Sequence, residues 1–497
     1  MHLDIDRQRD TPIFLQIVEA LERKLAGGEI RDGSRLPASR DLARNLGVNR
    51  NTVVSAYAEL VARGRATAHT GRGTFLRAAA VADTPLRWHE ALARGADARG
   101  IGDTLDLHSV AVQDVPFAFA SNFPPEDLLP AADFGAALNE VILARGARLL
   151  TYGTAAGYPP LRQWIADEMG RRGDPVGAES VIVTTGSQQG IDLAARAILS
   201  PGDVVLMEEP GFTLAFGAFQ AHGARVEGIP VDHDGIRADL LEQAVVRSRP
   251  KLLYLVPNFQ NPTGVCLSAT RRQEVLEIAE RHAVPIVEDD SSGALRFAGT
   301  ALPSLHSRDR RGQVLYLSTF SKKLLPALRV GWICVPEAIR DRLVGLKQVT
   351  DCTTSLLLQA ALDAYCRSGK LEGHLRRVRA AYRERRDAMV EALASHLPAG
   401  STWTVPDGGL LLWVTLPEGV DAKEILREAL AQGVSFNPGA LFFIEPTRSP
   451  HMRLTFGGNP PETIREGIRI LGEIADRACA RTLRSRPAAR GEAAPLL

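Results

Sequence analysis

A lysine flanked by hydroxyl-bearing residues, Lys322, lies in the segment STFSKKLLPALRVG at 318–331. The same segment carries an arginine, Arg329, that could reach the same ligand. A lysine that forms a Schiff base with an aldehyde cofactor needs a phosphate anchor beside it, and hydroxyls and a guanidinium are suitable phosphate partners. Lys323 competes for this role, but strand alternation places it on the opposite face, and the hydroxyl-lysine order selects Lys322. The alternative is an ordinary pair of surface lysines.

Three further segments place a candidate ligand group at the carboxyl end of a predicted strand, where open α/β sheets bind their ligands. After VIVTT, a turn opens a helix whose N–H groups and serine hydroxyl could hold a phosphate. After VVLMEEPG, an aromatic residue could stack on a pyridine ring or could simply belong to the core. After LLYLVPN, an asparagine in FQNPTG could donate to a phenolate-type ring oxygen. These residues are Ser187 and Gln188, Phe212, and Asn261.

A fourth segment, PIVEDD at 285–290, ends in two aspartates. A buried carboxylate paired with a pyridinium nitrogen would keep the ring protonated and electron-withdrawing. We choose Asp289 for this role and keep Asp290 as the alternative. Together the segments predict one site for a phosphorylated pyridine aldehyde.

The elements that would position these groups alternate between helix-like stretches and short β-branched runs from about 117 to 476. This alternation predicts an α/β domain with a mainly parallel central sheet covered by helices. The Ala-rich segment 78–116 is predicted to be a flexible or partly helical linker. The segment 477–497 is predicted to be a disordered tail.

The first 77 residues have a different pattern. PIFLQIVEALERKLAGG carries an apolar residue at every fourth position and ends in two glycines, which predicts an amphipathic helix. Ser39 can cap a second helix, which Gly47 closes, and Asn49 can cap a third helix that begins at Arg50. ATAHTGRGTFL then predicts a hairpin with a basic tip, the wing of a winged helix.

The combination LPASRDLARNLGVNRNTVVSAYAELVARG and GRGTFL resembles the winged-helix domains of the GntR family of regulators across 8–77. The first turn of the third helix can meet base edges and phosphates, the start of the second helix suits phosphate contacts, and the wing tip could enter a minor groove. The alternative is that these side chains are only helix caps and solvated charges. The candidate DNA-binding residues are Ser39, Arg40, Arg50, Asn51, Thr52 and Arg72.

Bulk properties agree with this organisation. A chain of 497 residues with 45% hydrophobic and 24% charged residues is expected to form two or more globular units. Residues 1–77 carry 13 lysines and arginines against 9 aspartates and glutamates, which favours an acidic partner. The five cysteines show no metal-ligand spacing, and we see neither a signal peptide nor a membrane span, so we expect a cytoplasmic protein that binds no metal.

The cofactor segments resemble the fold-type-I aminotransferases. With the GntR-like head, the whole chain resembles the MocR subfamily, in which the aminotransferase-like part senses a ligand. The resemblance implies that Lys322 holds pyridoxal 5'-phosphate as an aldimine. It also implies that Asp289 contacts the ring nitrogen, Asn261 the ring hydroxyl and Phe212 the face of the ring.

The resemblance assigns the remaining contacts as well. Ser187, Gln188 and Arg329 would bind the phosphate, and Tyr152 would reach the phosphate of the neighbouring subunit in a head-to-tail homodimer. Arg453, in HMRLTFG, would grip the carboxylate of an amino acid, which implies a ligand bound in bidentate fashion.

One position departs from the family pattern. Relatives usually carry a tyrosine two residues after the ring-nitrogen aspartate, whereas this chain has Ser291. Loss of the phenol leaves Asn261 as the main donor to the ring oxygen, with a water or Ser291 as a substitute. We expect the cofactor to bind and full transamination to be weakened, with a transaminase half-reaction left open.

Two classes of function follow. The first is a transcription regulator whose aminotransferase-like domain senses an amino-acid or amine effector, or pyridoxal phosphate itself. The second is an active aminotransferase that carries a DNA-binding module. We favour the regulator because a metabolic enzyme gains nothing from a winged helix with a basic recognition helix and wing. Its partners would be operator DNA, the effector and a second copy of the chain.

Overall fold

The computed structural model describes residues 3–7, 9, 11–69, 72–77, 99–111, 114–445 and 448–485. The chain divides into two compact units, Met1–Leu92 and Ala93–Leu497. Within the described residues, no helix is long and apolar enough to cross a membrane.

The first unit is a three-helix domain with a β-hairpin. Its elements are α1 Ile13–Ala26, α2 Ser39–Leu46, α3 Arg50–Ala62, β1 Ala66–His69 and β2 Gly73–Leu76. The fourfold apolar spacing of α1 buries Ile17 and Leu21 completely in a core that also contains Val53 of α3. Strands β1 and β2 pair in antiparallel register to form the predicted wing, whose tip at 70–71 lies outside the described residues.

The helix caps follow the sequence prediction in two of three cases. Gly47 ends α2 in the left-handed conformation, with φ 61°. Asn49 caps α3, because its Oδ1 accepts a hydrogen bond from the N–H of Asn51 at 2.9 Å. The prediction that Ser39 caps α2 is wrong, since the helix already begins at Ser39 and Ala38 occupies the N-cap position.

The second unit is built on an eight-stranded sheet with the order β4-β11-β10-β9-β8-β5-β6-β7. Strands β5, β6, β8, β9 and β10 pair in parallel, whereas β11 runs antiparallel to β4 and β10, and β7 runs antiparallel to β6. The mainly parallel sheet and its predicted strands are confirmed. The strands are β4 Val181–Thr184, β5 Val204–Glu209, β6 Arg225–Asp232, β7 Gly235–Ile236, β8 Leu252–Leu255, β9 Ile286–Asp289, β10 Val314–Thr319 and β11 Gly331–Cys334.

A smaller antiparallel sheet has the order β12-β13-β16-β15. Its register aligns Trp413, Arg453 and Asn437 on three adjacent strands, so their side chains share one face. A separate two-stranded sheet pairs β3 with β14 in parallel. The strands are β3 Phe117–Ala118, β12 Thr402–Trp403, β13 Leu411–Thr415, β14 Val434–Ser435, β15 Asn437–Pro438 and β16 His451–Thr455.

Helices cover both faces of the large sheet, so its central strands are buried on both sides. Alternate residues of one strand enter different cores: Val205 and Met207 pack on one face, and Leu206 on the other. The helices are α4 Arg99–Ala111, α5 Ala131–Arg145, α6 Pro159–Arg171, α7 Ser187–Ile198, α8 Thr213–Ala221, α9 Ala238–Ser248, α10 Ala269–His282, α11 Leu305–Arg308, α12 Glu337–Asp351, α13 Leu356–Arg367, α14 Lys370–His396, α15 Ala422–Ala431 and α16 Pro461–Ser485.

Two helices lie in segments for which the sequence predicted little order. Helix α4 lies within the predicted linker and packs against α8. Helix α16 continues through 477–485, so the prediction of a disordered tail is wrong there; the tail's remainder, 486–497, lies outside the described residues. The physical reason is that the apolar stripe of α16 extends to Ala478, which is buried in the main core.

Replacing the α3 cap with Asn49→Ala should lower the free energy of unfolding of this helix by about 1 kcal/mol, because the N–H of Asn51 loses its acceptor. Hydrogen exchange of the full chain, read by mass spectrometry over 50–62, should be correspondingly faster. Ser39→Ala is the matched control and should leave exchange of α2 almost unchanged; an equal effect of both substitutions would contradict the cap assignments.

Candidate functional site

Lys322 lies just beyond the end of β10, in half-buried surroundings. Its Nζ donates to the carbonyl oxygen of Asn122 at 2.6 Å and lies 5.1 Å from the ring centroid of Phe123. Loss of hydration, with repulsion from Arg453 and Arg329, lowers the pKa of Lys322 to about 8. An appreciable fraction of this amine is therefore neutral near pH 7, the form that attacks an aldehyde.

The neighbouring Lys323 has different surroundings. Its Nζ lies 4.3 Å from the ring centroid of Trp332 and 5.0 Å from that of Phe320, inside the apolar core. Burial lowers the pKa of Lys323 to about 7. The two lysines thus point into different environments, as predicted. The predicted reason, strand alternation, is wrong, because both residues lie in the turn that follows β10.

A tight turn after β4 forms a second part of the site. Gly186, at φ 77°, ends the turn, and α7 begins at Ser187. A Cβ on Gly186 would lie 2.6 Å from Nη2 of Arg329, so only glycine allows this guanidinium to approach the start of the helix. Nη1 of Arg329 also donates to Oγ of Ser321 at 3.3 Å. The helix N-terminus, the hydroxyls and the guanidinium together suit a phosphate.

The side chain of Gln188 points away from this cluster. Its Nε2 donates to the carbonyl oxygen of Leu214, in α8, at 3.1 Å. The contribution of Gln188 to an anion site is therefore its backbone N–H, which belongs to the first turn of α7 and has no acceptor within the helix. Phe212, at the N-terminus of α8, is partly buried against the core of the large sheet.

Asp289 ends β9 and is 2% exposed. Its Oδ2 accepts a hydrogen bond from the hydroxyl of Tyr254 at 2.9 Å, and its Oδ1 accepts from the N–H of Ser291 at 3.1 Å and from the Ser291 hydroxyl. Burial raises the pKa of Asp289, while the hydrogen bonds from Ser291 and Tyr254 oppose that rise. A carboxylate in these surroundings is suited to pair with a protonated ring nitrogen.

Asp290 faces a different region. Its Oδ1 accepts from Nδ2 of Asn258 and its Oδ2 from the hydroxyl of Tyr316, each at 2.8 Å. Asp289, by contrast, is close enough to Lys322 to raise the lysine's pKa. This difference favours Asp289 over Asp290 as the partner of a ring bound at Lys322.

Two contacts around Asp289 were not anticipated from the sequence. Tyr254 lies in the middle of a buried strand, where its hydroxyl needs a polar partner, and that need was the available signal. The Ser291 hydroxyl donates a hydrogen bond to Asp289. It could therefore replace the missing phenol as a donor to the ring oxygen only if this hydrogen bond broke.

Arg453 is 6% exposed, and its Nη2 donates to Oδ1 of Asn437 at 2.6 Å and to the carbonyl oxygen of Ala120 at 3.1 Å. Its Nη1 donates to Oδ1 of Asn261 at 3.1 Å. Burial lowers the pKa of Arg453 to about 9. Nε of Arg453 and Nδ2 of Asn437 are buried without a hydrogen-bond partner in the described chain. Such donors are costly unless a ligand accepts from them.

Asn437 was missed by sequence reasoning because only the register of the small sheet places it beside Arg453. Tyr152 is 86% exposed on the protein surface, where it lines a cavity of about 660 Å³ together with Gly153 and Cys352. The contact of Tyr152 with the phosphate of the neighbouring subunit stays a prediction.

The candidate DNA-binding side chains lie on the surface of the first unit. Arg40, Arg50, Asn51 and Arg72 are exposed, while Ser39 and Thr52 are half-exposed at the starts of α2 and α3. Arg35, not predicted from the sequence, is also exposed and lies against the wing, where a Cβ on Gly73 would come within 2.8 Å of its Nε. The N-termini of two helices and the wing therefore all carry polar or basic groups.

Two family models match the chain. The model described as bacterial regulatory proteins, gntR family, matches residues 14–76, and the model described as aminotransferase class I and II matches residues 116–471.

Curated proteins of two kinds are similar to the chain. The probable rhizopine catabolism regulatory protein MocR of Rhizobium meliloti is 33% identical over 94% of this chain and 95% of that protein. Aromatic-amino-acid aminotransferase 1 of Thermococcus litoralis is 38% identical over 77% of this chain and 92% of that protein. The crystal structure of LysN, the alpha-aminoadipate aminotransferase of Thermus thermophilus complexed with N-(5'-phosphopyridoxyl)-L-leucine, matches with a TM-score of 0.73 and 34% identity, over 80% of this chain and 100% of that chain.

The lowered pKa of Lys322 predicts how its amine should react. In cofactor-free protein, labelling of Lys322 by acetic anhydride should rise with pH and reach half its maximum near pH 8, because only the neutral amine reacts. Tandem mass spectrometry would separate Lys322 from Lys323. Arg453→Leu should move the half-maximum to higher pH, since it removes a repelling charge; an unchanged profile would show that Arg453 does not act on this amine.

Proposed function

Because the chain belongs to the MocR subfamily, in which a gntR-type winged helix is joined to an aminotransferase class I and II domain that depends on pyridoxal phosphate, we propose that it is a DNA-binding regulator that senses an amino-acid or amine effector. The observation that carries this proposal is the buried Arg453, a cationic side chain whose unpaired Nε suits a carboxylate ligand, on the same chain as a winged helix. We assign DNA binding to residues 8–77 and sensing to residues 117–476.

The residues of the site suit pyridoxal phosphate. When bound, this cofactor supplies an aldehyde that captures amines and a ring that withdraws electrons. Lys322 would hold the aldehyde carbon through Nζ, and Asp289 would keep a proton on the ring nitrogen. Asn261 has its Oδ1 turned to Arg453, which leaves Nδ2 to donate to the ring oxygen. Phe212 would stack on the ring.

The phosphate would bind at the start of α7. Ser187 and the N–H of Gln188 would donate to its oxygens, and Arg329 would balance its charge. Tyr152 of a second copy would complete this site, which accounts for a tyrosine that is 86% exposed in the single chain. Leu143 and Leu150, also strongly exposed, would be covered in the same head-to-tail homodimer.

The effector would enter between Lys322 and Arg453. Its carboxylate would accept from the guanidinium of Arg453, and its amine would lie beside Nζ of Lys322, where the cofactor's aldehyde would be held. The carbonyl oxygen of Asn122, which accepts from Nζ of Lys322, would hold this amine whenever it is not bound to the cofactor. The effector shifts DNA affinity only to the extent that it binds two arrangements of the protein with different free energies.

The winged helix would read paired operator half-sites. Arg50, Asn51 and Thr52 begin α3 and would contact base edges, while Ser39 and Arg40 would contact phosphates. Arg72 would enter a minor groove from the wing. Binding to chromosomal operators would place the protein in the cytoplasm.

An active aminotransferase is the second candidate function. The 38% identity to the Thermococcus enzyme favours it. The serine at position 291 argues against it, because the ring oxygen then lacks the phenol donor that tunes the chemistry in the family. Formation of a keto acid from an amino acid in amounts well above one per protein, which requires repeated turnover, would favour the enzyme. A change in DNA affinity on adding the cofactor alone would indicate a sensor of pyridoxal phosphate itself.

Separate substitutions should disable the two halves independently. Lys322→Ala should abolish covalent attachment of the cofactor after borohydride reduction, while far-ultraviolet circular dichroism stays unchanged. Arg50→Ala should weaken binding to duplexes selected from random DNA by the wild-type protein, by about tenfold, and spare cofactor attachment. The domain assignment would be wrong if either substitution produced the phenotype of the other.

The carboxylate assignment can be tested by comparing ligands. Arg453→Leu should reduce the affinity for amino acids, read from changes in cofactor absorbance, by at least about thirtyfold, since a charge-assisted bidentate contact is lost. Simple amines without a carboxylate should bind Arg453→Leu and the wild type alike. Arg469→Leu, on the exposed surface of α16, is the control. Equal losses for amines and amino acids would mean that Arg453 does not recognise the carboxylate.

A further inference from the structure

The carboxylate of Asp351 accepts hydrogen bonds from residues on both sides of the phosphate-binding turn. Oδ2 of Asp351, the last residue of α12, accepts from Oγ1 of Thr185 at 3.0 Å and from Nε2 of Gln189 at 2.8 Å. Thr185 and Gln189 flank residues 186–188, which are the last residue of the turn after β4 and the first two residues of α7; this segment is the phosphate-binding turn. One oxygen atom therefore ties together the two ends of the turn.

The turn is closed further by contacts among its flanking residues. Oε1 of Gln189 accepts from the backbone N–H of Thr185 at 2.8 Å. Oγ1 of Thr185 also lies 3.1 Å from Oγ1 of Thr354. Thr185, Gln189 and Asp351 thus form a closed hydrogen-bonded ring, and movement of either end of the turn would break at least one of its bonds.

Lys347 keeps the carboxylate charged and in place. Its Nζ donates to both oxygens of Asp351, at 2.7 and 2.9 Å, and its side chain is fully buried. Burial alone would raise the pKa of Asp351, but hydrogen bonds from Lys347 and Gln189 outweigh it, and the pKa lies below its usual value. An ionised acceptor makes stronger hydrogen bonds than a neutral one.

We propose that Asp351 is a positioning residue for the cofactor phosphate, acting through Thr185 and Gln189 without touching the cofactor. The inference rests on the assignment of the phosphate to Ser187, Gln188 and Arg329. Its physical basis is preorganisation: N–H groups that already point at the phosphate position lose less conformational freedom when the ligand binds.

The test compares two ligands that differ only in the phosphate. Dissociation constants of cofactor-free full-length protein for pyridoxal phosphate and for pyridoxal are measured by absorbance titration. Asp351→Asn should raise the dissociation constant for pyridoxal phosphate by about tenfold, the loss expected when a charged hydrogen-bond acceptor is removed. The dissociation constant for pyridoxal should change by less than about twofold. Equal weakening of both ligands, or of neither, would overturn the proposal.

Asp351→Asn leaves the buried Lys347 without its counter-ion and can therefore destabilise the fold. Thr185→Val avoids this problem, because it removes one hydroxyl from the ring and keeps the Lys347–Asp351 pair. It should also weaken pyridoxal phosphate selectively. Asp363→Asn is the matched control: Asp363 is a buried carboxylate paired with Arg367 on α13, and its change should leave the ratio of the two constants unaltered.

Ser187→Ala separates failure of this inference from failure of the phosphate assignment. Ser187→Ala is expected to weaken the binding of pyridoxal phosphate more than that of pyridoxal. If it does so, while Asp351→Asn and Thr185→Val change both dissociation constants equally, the phosphate site stands and the positioning role is overturned. If Ser187→Ala also fails to discriminate, the phosphate assignment is overturned and the positioning role with it.

Discussion

The parallel strands of the large sheet end at one edge, and the chemistry of the second unit depends on that constraint. Strands β8, β9 and β10 run side by side in the same direction. Asn261 after β8, Asp289 at the end of β9 and Lys322 after β10 therefore lie at the same edge of the sheet although they are distant in sequence. The turn before Ser187 joins them because β4 is paired to this sheet through β11. A winged-helix protein without such a sheet would have no means of collecting these groups.

Charges removed from water set the second constraint on this site. Asp351 and Lys347 satisfy each other, whereas Arg453 is buried with a donor that the described chain leaves unpaired, and Asp289 is held by neutral donors only. Fully paired charges suit a structural role, and incompletely paired charges suit the binding of a ligand. This distinction separates the scaffold behind the phosphate turn from the groups that would meet cofactor and effector.

The hydrogen bond of Ser291 bears on the choice between a regulator and an enzyme. The family pattern has a phenol at this position, whereas the Ser291 hydroxyl of this chain donates to Asp289, the residue that we propose as the partner of the ring nitrogen. Under this proposal, Ser291 supports binding of the cofactor and removes one donor that catalysis would use. This combination is what a ligand sensor requires, since capture of an amine is useful to it and turnover is not.

Sequence alone determined the elements and the residue types. Periodicity and strand-end motifs predicted the helices of the first unit, the parallel sheet and the groups Lys322, Asp289 and Arg329, because these signals are local and survive in a linear pattern. Tertiary structure decided the rest. Asn437 reaches Arg453 only through sheet register, Tyr254 reaches Asp289 from the neighbouring strand, and Asp351 reaches the phosphate-binding turn from a helix that is distant in sequence. Such pairings depend on how elements pack, and no local pattern encodes them.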